Sequence, residues 1–221
     1  MRDYLSISNL GKAAGLAALM TLMSVGRLVQ GQKSLVFYIP VTFCAMMFIA
    51  GAVAAWGRRA GMAGIVTDRR TLCSGVALAL LLALLALPVY VWGLDAILRN
   101  ALRSATSSTL LNLSYPATVG GCLALMLWSA GFQTMFFVAA PMSLFARLTN
   151  RPFIALGLTL AVRFYVMHRQ MTEAGVSAAV PLFYGLALAT TLAGGLLFAR
   201  YGLAPAMLFA AALDLRLLLY V

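Results

Sequence analysis

The chain has 221 residues, of which 63% are hydrophobic and 10% are charged, and its mean hydropathy is +0.98. This composition excludes a sizeable soluble domain, because apolar runs long enough to cross a bilayer take up most of the chain. A net charge of +11 would indicate nucleic acid in a soluble protein, but here the basic residues flank apolar runs, so we expect anionic lipid headgroups and no nucleic acid.

Seven apolar segments are candidate membrane spans. Each is predicted to be a helix, because a lone chain in lipid must satisfy its own backbone hydrogen bonds. We expect a kink at Pro88 in the third segment, and tilt or a break near Pro141 in the long fourth segment. The segments are residues 12–29, 34–57, 72–94, 116–146, 152–170, 178–199 and 202–220. The sequence therefore predicts an all-α, polytopic transmembrane helical bundle of about seven spans, with residues 1–221 forming a single integral membrane domain.

Residues 95–113 separate the third span from the fourth and have a two-sided pattern. One helical face carries apolar side chains: Ile97, Leu98, Ala101, Leu102 and Ala105. The opposite face carries polar ones: Arg99, Asn100, Arg103 and Ser104. This pattern predicts an amphipathic helix that lies in the membrane interface and does not cross the bilayer.

The lysines and arginines also predict the orientation. Their densest cluster lies between the second and third spans, at residues 58–70. Basic loops stay on the cytoplasmic side, so we expect a multi-pass protein of the bacterial inner (cytoplasmic) membrane. Its N-terminus is then cytoplasmic, and with seven spans its C-terminus lies on the other side.

The fifth span is unusual because it carries Arg163, and an arginine at mid-bilayer costs at least about 2.5–3.5 kcal/mol on insertion scales. A rise of about 1.5 Å per residue places Arg163 and Asp214 at similar depth, near the bilayer middle. We expect these two residues to pair, with Gln133 and Arg216 close by. Alternatively, Arg216 takes Asp214 and leaves Arg163 to Gln133 or to backbone carbonyls. Such a polar cluster is either a substrate or ion site or a structural ion pair with a satisfied amide.

The last part of the chain, roughly residues 116–221, resembles the CAAX-processing and bacteriocin-processing (CPBP) family of intramembrane proteases. Phe164 and His168, in the sequence FYVMH, fit the family's Phe-x-x-x-His motif. Residues 201–208 resemble the stretch before its third motif, which then places a histidine at Ala210 and an Asn or Asp at Asp214. The resemblance implies a helical membrane fold in which paired glutamates activate water and histidines position it.

The departures from that pattern indicate a protein without protease activity. The paired glutamates should lie near residues 133–138, where the sequence has Gln133 and no glutamate. Glutamine cannot take a proton, and Ala210 has no polar atom, so neither can do general-base work. Glu173, the one glutamate of the chain, follows the fifth span.

We expect no metal site and no cofactor. A zinc site needs three or four ligands, and the sequence has one histidine and few carboxylates. The three cysteines lie singly within apolar segments, so we interpret Cys44, Cys73 and Cys122 as small buried apolar residues. Neither a Walker A motif nor a dinucleotide-binding glycine pattern occurs.

Three functions follow from these features. The first is a non-catalytic, CPBP-like membrane protein that acts as an accessory or partner-binding subunit of a membrane complex, with other membrane subunits as partners. The second is a small-solute carrier or the membrane-embedded binding subunit of a transporter. The third is an active intramembrane protease. A cavity lined by the polar cluster would favour the second, and a cluster closed by tight pairing would favour the first.

Overall fold

The computed structural model describes residues 7–31, 33–57, 61–65, 68–104, 114–174 and 180–221, and these residues form helices joined by short connections. The α-helices are α1 Ile7–Gln30, α2 Leu35–Trp56, α3 Arg69–Pro88, α4 Ala96–Ser104, α5 Val119–Trp128, α6 Ala140–Thr149, α7 Pro152–Ala174, α8 Val180–Tyr201 and α9 Leu203–Asp214. Three π-helical segments connect some of them: π1 Val89–Asp95, π2 Ser129–Gln133 and π3 Met135–Ala139. A 3₁₀ helix, Leu215–Tyr220, follows α9. The prediction of an all-α helical bundle is confirmed.

Within the described residues, six helical stretches are long and apolar enough to cross a membrane. They are Leu10–Gln30, Leu35–Trp56, Arg69–Asn100, Val119–Thr149, Pro181–Tyr201 and Leu203–Tyr220. The chain is therefore a multi-pass membrane protein. The other predicted span, residues 152–170, lies in α7, a helix of 23 residues that is less apolar because it carries Arg163, His168 and Arg169. Its crossing of the bilayer stays a prediction.

The two prolines coincide with changes of helix type. π1 begins directly after Pro88, and π3 ends just before Pro141, which occupies the first turn of α6. Proline lacks the backbone N–H that an α-helix needs, so the regular hydrogen-bond ladder changes near each of them. Both long stretches, Arg69–Asn100 and Val119–Thr149, nevertheless remain continuous helices.

The predicted interfacial helix is present in part. Residues 96–104 form α4, which continues from the third span through π1, while residues 105–113 lie outside the described residues. Ile97 is exposed on the surface of the protein, as a side chain in contact with lipid would be. Asp95, at the start of the predicted segment, is by contrast completely buried. The orientation of this helix in the membrane stays a prediction.

Helix α9 packs against several others, including α3, α5, α8 and π2. A glycine allows its closest approach to α3: a Cβ atom on Gly75 would lie 2.6 Å from Cβ of Tyr201 and 2.7 Å from Cγ of Pro205. Gly202 lies at the turn from α8 into α9. Its φ angle is positive, 94°, a backbone conformation that residues other than glycine rarely adopt. Gly75 therefore allows α3 to pack closely against the start of α9, and Gly202 allows the sharp turn that precedes it.

The outer surface of the bundle is apolar, with large exposed side chains such as Phe37, Phe48, Trp92 and Phe153. Such a surface matches the hydrocarbon that surrounds a membrane protein. Cys44 and Cys73 lie on this exposed surface and only Cys122 is buried, so the prediction of three buried cysteines is wrong for two of them. An apolar segment in a membrane protein has side chains that face lipid as well as side chains that face the core, so an apolar sequence context does not by itself predict burial.

Candidate functional site

A buried carboxylate organises the polar part of the bundle. Asp95, at the end of π1, is 0% exposed and accepts three hydrogen bonds. Arg216 Nε donates to its Oδ2 at 3.0 Å, Tyr115 Oη to its Oδ1 at 2.8 Å and Tyr220 Oη to its Oδ2 at 3.2 Å. The donors come from the residues just before α5 and from the 3₁₀ helix, so the network ties three parts of the chain together.

Arg216 joins that network to a second carboxylate. Its Nη1 donates to Asp214 Oδ1 at 2.9 Å and to the carbonyl oxygen of Leu213 at 2.8 Å, and its guanidinium lies 4.6 Å from the ring centre of Tyr90. Residues two apart do not face each other on an α-helix. Here the α-helix ends at Asp214 and tightens to a 3₁₀ helix, and the long arginine side chain reaches back to the carboxylate.

The predicted pairing of Arg163 with Asp214 is therefore wrong, because Asp214 pairs with Arg216. Arg163 is half-buried, and its guanidinium lies over the ring of Phe137 at 4.3 Å. Within the part of the chain that the structure describes, Arg163 has no carboxylate partner and makes no hydrogen bond. An arginine does not lose its proton in proteins, so this cation is balanced by a ring face alone.

Gln133, the last residue of π2, is likewise half-buried. Its amide makes no hydrogen bond to any other described side chain or backbone group. An amide offers two donors and one acceptor, and this one keeps all of them available. Of the two alternatives for the polar cluster, the one with a satisfied amide is therefore not supported at Gln133.

These residues surround one cavity of about 330 Å³. The four residues predicted as a polar cluster, Gln133, Arg163, Asp214 and Arg216, all line it. Tyr90 and Asp95 from π1, Ser129 from π2 and Phe137 and Val138 from π3 line it as well. π-helical turns are rare in proteins, and those that occur are often found at functional sites. All three in the described part of the chain contribute residues to this cavity.

Tyr115 lies outside the membrane-spanning helices and closes the network from the connection before α5. Burial, and next the negative charge of Asp95, raise the pKa of its hydroxyl. Tyr115 therefore stays protonated and continues to donate to Asp95. Arg99 covers the same region, with its guanidinium 5.7 Å from the ring centre of Tyr115 and 4.3 Å from that of Tyr220.

The residues that match the family motifs do not all meet. Ala210 and Asp214 line the cavity. Phe164 and His168 do not: both are exposed, and their rings stack with centres 6.1 Å apart. His168 Nδ1 shares a hydrogen bond of 3.1 Å with the Tyr184 hydroxyl. The histidine thus lies apart from the carboxylates and from Gln133.

The sequence pattern does not identify Asp95 or the tyrosines that surround it as part of a site. Asp95 is the first residue of the segment 95–113, which the pattern predicts to be an interfacial helix. One signal in the sequence could have identified Asp95. The chain has five acidic residues, and two of them, Asp95 and Asp214, directly follow a long apolar run. Intramembrane acids are expensive and should find partners.

The cavity is lined by charges of both signs. Arg27, Arg163 and Arg216 lie on its wall together with Asp95 and Asp214. Both carboxylates are held by Arg216, which leaves neither of them as a free base or a cation ligand. Comparison of the sequence with family models, and of the chain with curated proteins and solved structures, gave no match.

Proposed function

We propose that this chain is a non-catalytic membrane protein that binds a small solute in its polar cavity, as a carrier or as the membrane-embedded binding subunit of a transporter. The observation that carries the proposal is the cavity that joins Arg163 and Gln133 inside an apolar bundle. Both side chains keep hydrogen-bonding capacity that nothing in the described residues uses. Ionisable groups within a membrane generally mark a pathway or a binding site.

The cavity is also of the right kind for a ligand. Ligand pockets range over about 300–1,000 Å³ and combine an apolar wall with a few polar groups. This one, at about 330 Å³, has Phe137, Phe183 and Phe209 beside its charged residues. A small organic solute is therefore the occupant that its size and lining support.

The same geometry argues against peptide hydrolysis. A general base must reach its water and accept a proton. Asp95 and Asp214 are engaged by Arg216, Ala210 has no polar atom, and His168 is exposed outside the cavity. We therefore keep the CPBP resemblance as a proposal about ancestry, without its activity.

The closed ion-pair network supports a second candidate, an accessory subunit that binds other membrane proteins. Asp95, Asp214 and Arg216 satisfy one another, as purely structural charges do. In this case the protein, in a bacterial inner membrane with its N-terminus cytoplasmic, would co-purify with a partner after mild detergent extraction. Recovery of the chain alone would count against this candidate.

The test of solute binding uses purified protein in nanodiscs of zwitterionic lipid. A panel of neutral, anionic and cationic fragments is screened by saturation-transfer NMR, for the wild type and for Ala210→Trp. Ala210 lines the cavity without a polar contact, so tryptophan there should fill the space. We expect fragments that bind the wild type and are lost in Ala210→Trp. If no fragment depends on this position, the cavity is not a binding site.

A further inference from the structure

We propose that the ligand of this cavity is a small organic anion whose carboxylate or phosphate group is held by Arg163, with Gln133 beside it. This inference rests on the proposed function, because it names the ligand class of the same site. It starts from the difference between two of the three arginines that line the cavity, Arg163 and Arg216. Arg216 meets two carboxylates at 3.0 and 2.9 Å, whereas Arg163 has only the face of Phe137.

Among the residues that the structure describes, Arg163 thus has no carboxylate as a counter-ion. A charge removed from water is costly unless it is paired and hydrogen-bonded. The five N–H donors of a guanidinium form a fixed fork that matches a carboxylate or a phosphate.

The threonines of the lining do not compete with Arg163 and Gln133 as donors. Thr134, Thr190 and Thr191 line the cavity, but each donates its hydroxyl hydrogen to a carbonyl oxygen of its own helix, at 3.0, 3.0 and 2.7 Å. These hydroxyls therefore do not donate to an anion. Arg163 and Gln133 keep their donors, so these two side chains are the ones that an acceptor-rich group would contact.

The apolar part of the lining excludes a bare inorganic ion as the best ligand. Phe183 and Phe209 line the cavity together with Leu94, Leu125 and Val138. Such walls favour the apolar body of an organic molecule, while the charged group determines its orientation. An aromatic or short aliphatic monoanion matches both the charged and the apolar residues of the lining.

The experiment measures the affinity of matched probes for protein in zwitterionic nanodiscs by isothermal titration calorimetry. Benzoate and phenyl phosphate are the anions, benzamide is the neutral analogue and benzylamine the cation. We expect the anions to bind more tightly than the other two. Arg163→Gln should weaken benzoate binding by about tenfold to a hundredfold, the range expected for a lost hydrogen bond to a charged group. Arg163→Lys should retain part of the affinity.

Arg147→Gln is the matched control. Arg147 also lies over an aromatic ring, with its guanidinium 4.6 Å from the ring centre of Trp56, but it is exposed and does not line the cavity. We expect its benzoate affinity to equal that of the wild type. The partial affinity of Arg163→Lys and a normal elution profile on size exclusion separate lost binding from lost folding.

A second arm identifies the source of the anion. Nanodiscs that contain phosphatidylglycerol should weaken benzoate binding if the natural anion is a lipid headgroup, and leave it unchanged if it is a free solute. Both results retain an anion at Arg163. Benzamide binding as tightly as benzoate, or benzoate affinity unchanged in Arg163→Gln, would overturn the inference. If Ala210→Trp still abolishes binding in that case, the cavity binds a neutral ligand and only the anion is wrong; if it does not, the proposed function fails as well.

Discussion

Asp95 is the residue on which the polar network depends. It is completely buried, and its three hydrogen bonds come from Arg216, Tyr115 and Tyr220. A buried carboxylate with this many donors holds together parts of the chain that are more than 100 residues apart. Its removal would leave Arg216 with Asp214 as its one remaining carboxylate.

The first prediction concerns this charge network. Asp95→Leu should destabilise the protein, because it removes the acceptor of hydrogen bonds from Arg216, Tyr115 and Tyr220. A buried donor left without its acceptor costs about 1–3 kcal/mol. Unfolding in mild detergent measures it, as part of a double-mutant cycle with Arg216→Leu. The double variant should lose less than the sum of the two single losses.

The matched control cycle combines Arg163→Leu with Asp214→Leu. These two residues do not contact each other in an ion pair, so their losses should add to within about 0.5 kcal/mol. Strong coupling between them would mean that Arg163 and Asp214 pair after all. It would also remove the unbalanced cation from the cavity.

The second prediction is catalytic silence. No peptide-bond hydrolysis should depend on His168 or Glu173, because the carboxylates in the cavity are engaged by Arg216 and the histidine is exposed outside it. The measurement is cleavage of a membrane-embedded peptide by purified protein. Cleavage that disappears in Glu173→Gln would show an active protease.

At the scale of single elements, the packing of α3 against α9 depends on a missing side chain. A Cβ on Gly75 would lie under 3 Å from Tyr201 and from Pro205, and neither a Cβ atom nor a proline ring can move away easily. The hydrophobic pattern of α3 alone does not reveal this contact. Close approach through small residues is the usual basis of helix association in membranes.

The third prediction follows from that contact. Gly75→Ala should destabilise the protein by about 1–3 kcal/mol, as overpacking of a tight interface does. The control is Gly185→Ala in α8, where a Cβ would meet no atom within 4 Å. This control should be neutral in the same unfolding measurement, or slightly stabilising because alanine is the better helix former. Equal losses for both variants would show that the effect comes from glycine in general and not from the α3–α9 contact.

For the whole molecule, the open question is whether α7 crosses the bilayer. Six helical stretches satisfy the length and hydropathy of a span, and α7 is long enough but carries Arg163, His168 and Arg169. The cavity offers an explanation for Arg163, because the arginine lines it together with other polar residues. We therefore predict that α7 is the seventh span.

The fourth prediction tests this topology. With seven crossings the C-terminus lies on the side opposite the basic loop 58–70, and with six it lies on the same side. A reporter fused after Val221 should therefore read as non-cytoplasmic, while a reporter inserted near Arg69 reads as cytoplasmic. Both reporters on one side would show that α7 does not cross.

The sequence by itself determined the fold class and the approximate extent of the six long apolar helical stretches among the described residues. A chain in lipid must satisfy its own backbone hydrogen bonds, so an apolar run of span length indicates a helix. Depth along each helix also identified the polar residues that can meet, and Gln133, Arg163, Asp214 and Arg216 do line one cavity. Rise per residue gives depth without any knowledge of the partner helix.

Only the tertiary structure decided which charge meets which. Depth does not fix the rotation of a helix about its axis, which depends on how neighbouring helices pack. The 3₁₀ turn after Asp214 brings Arg216 back to it, and the continuation of the third span through π1 carries Asp95 into the same network. Arg163 is left facing the cavity without a carboxylate for the same reason. Depth is encoded locally along the chain, whereas pairing is a property of the packed bundle.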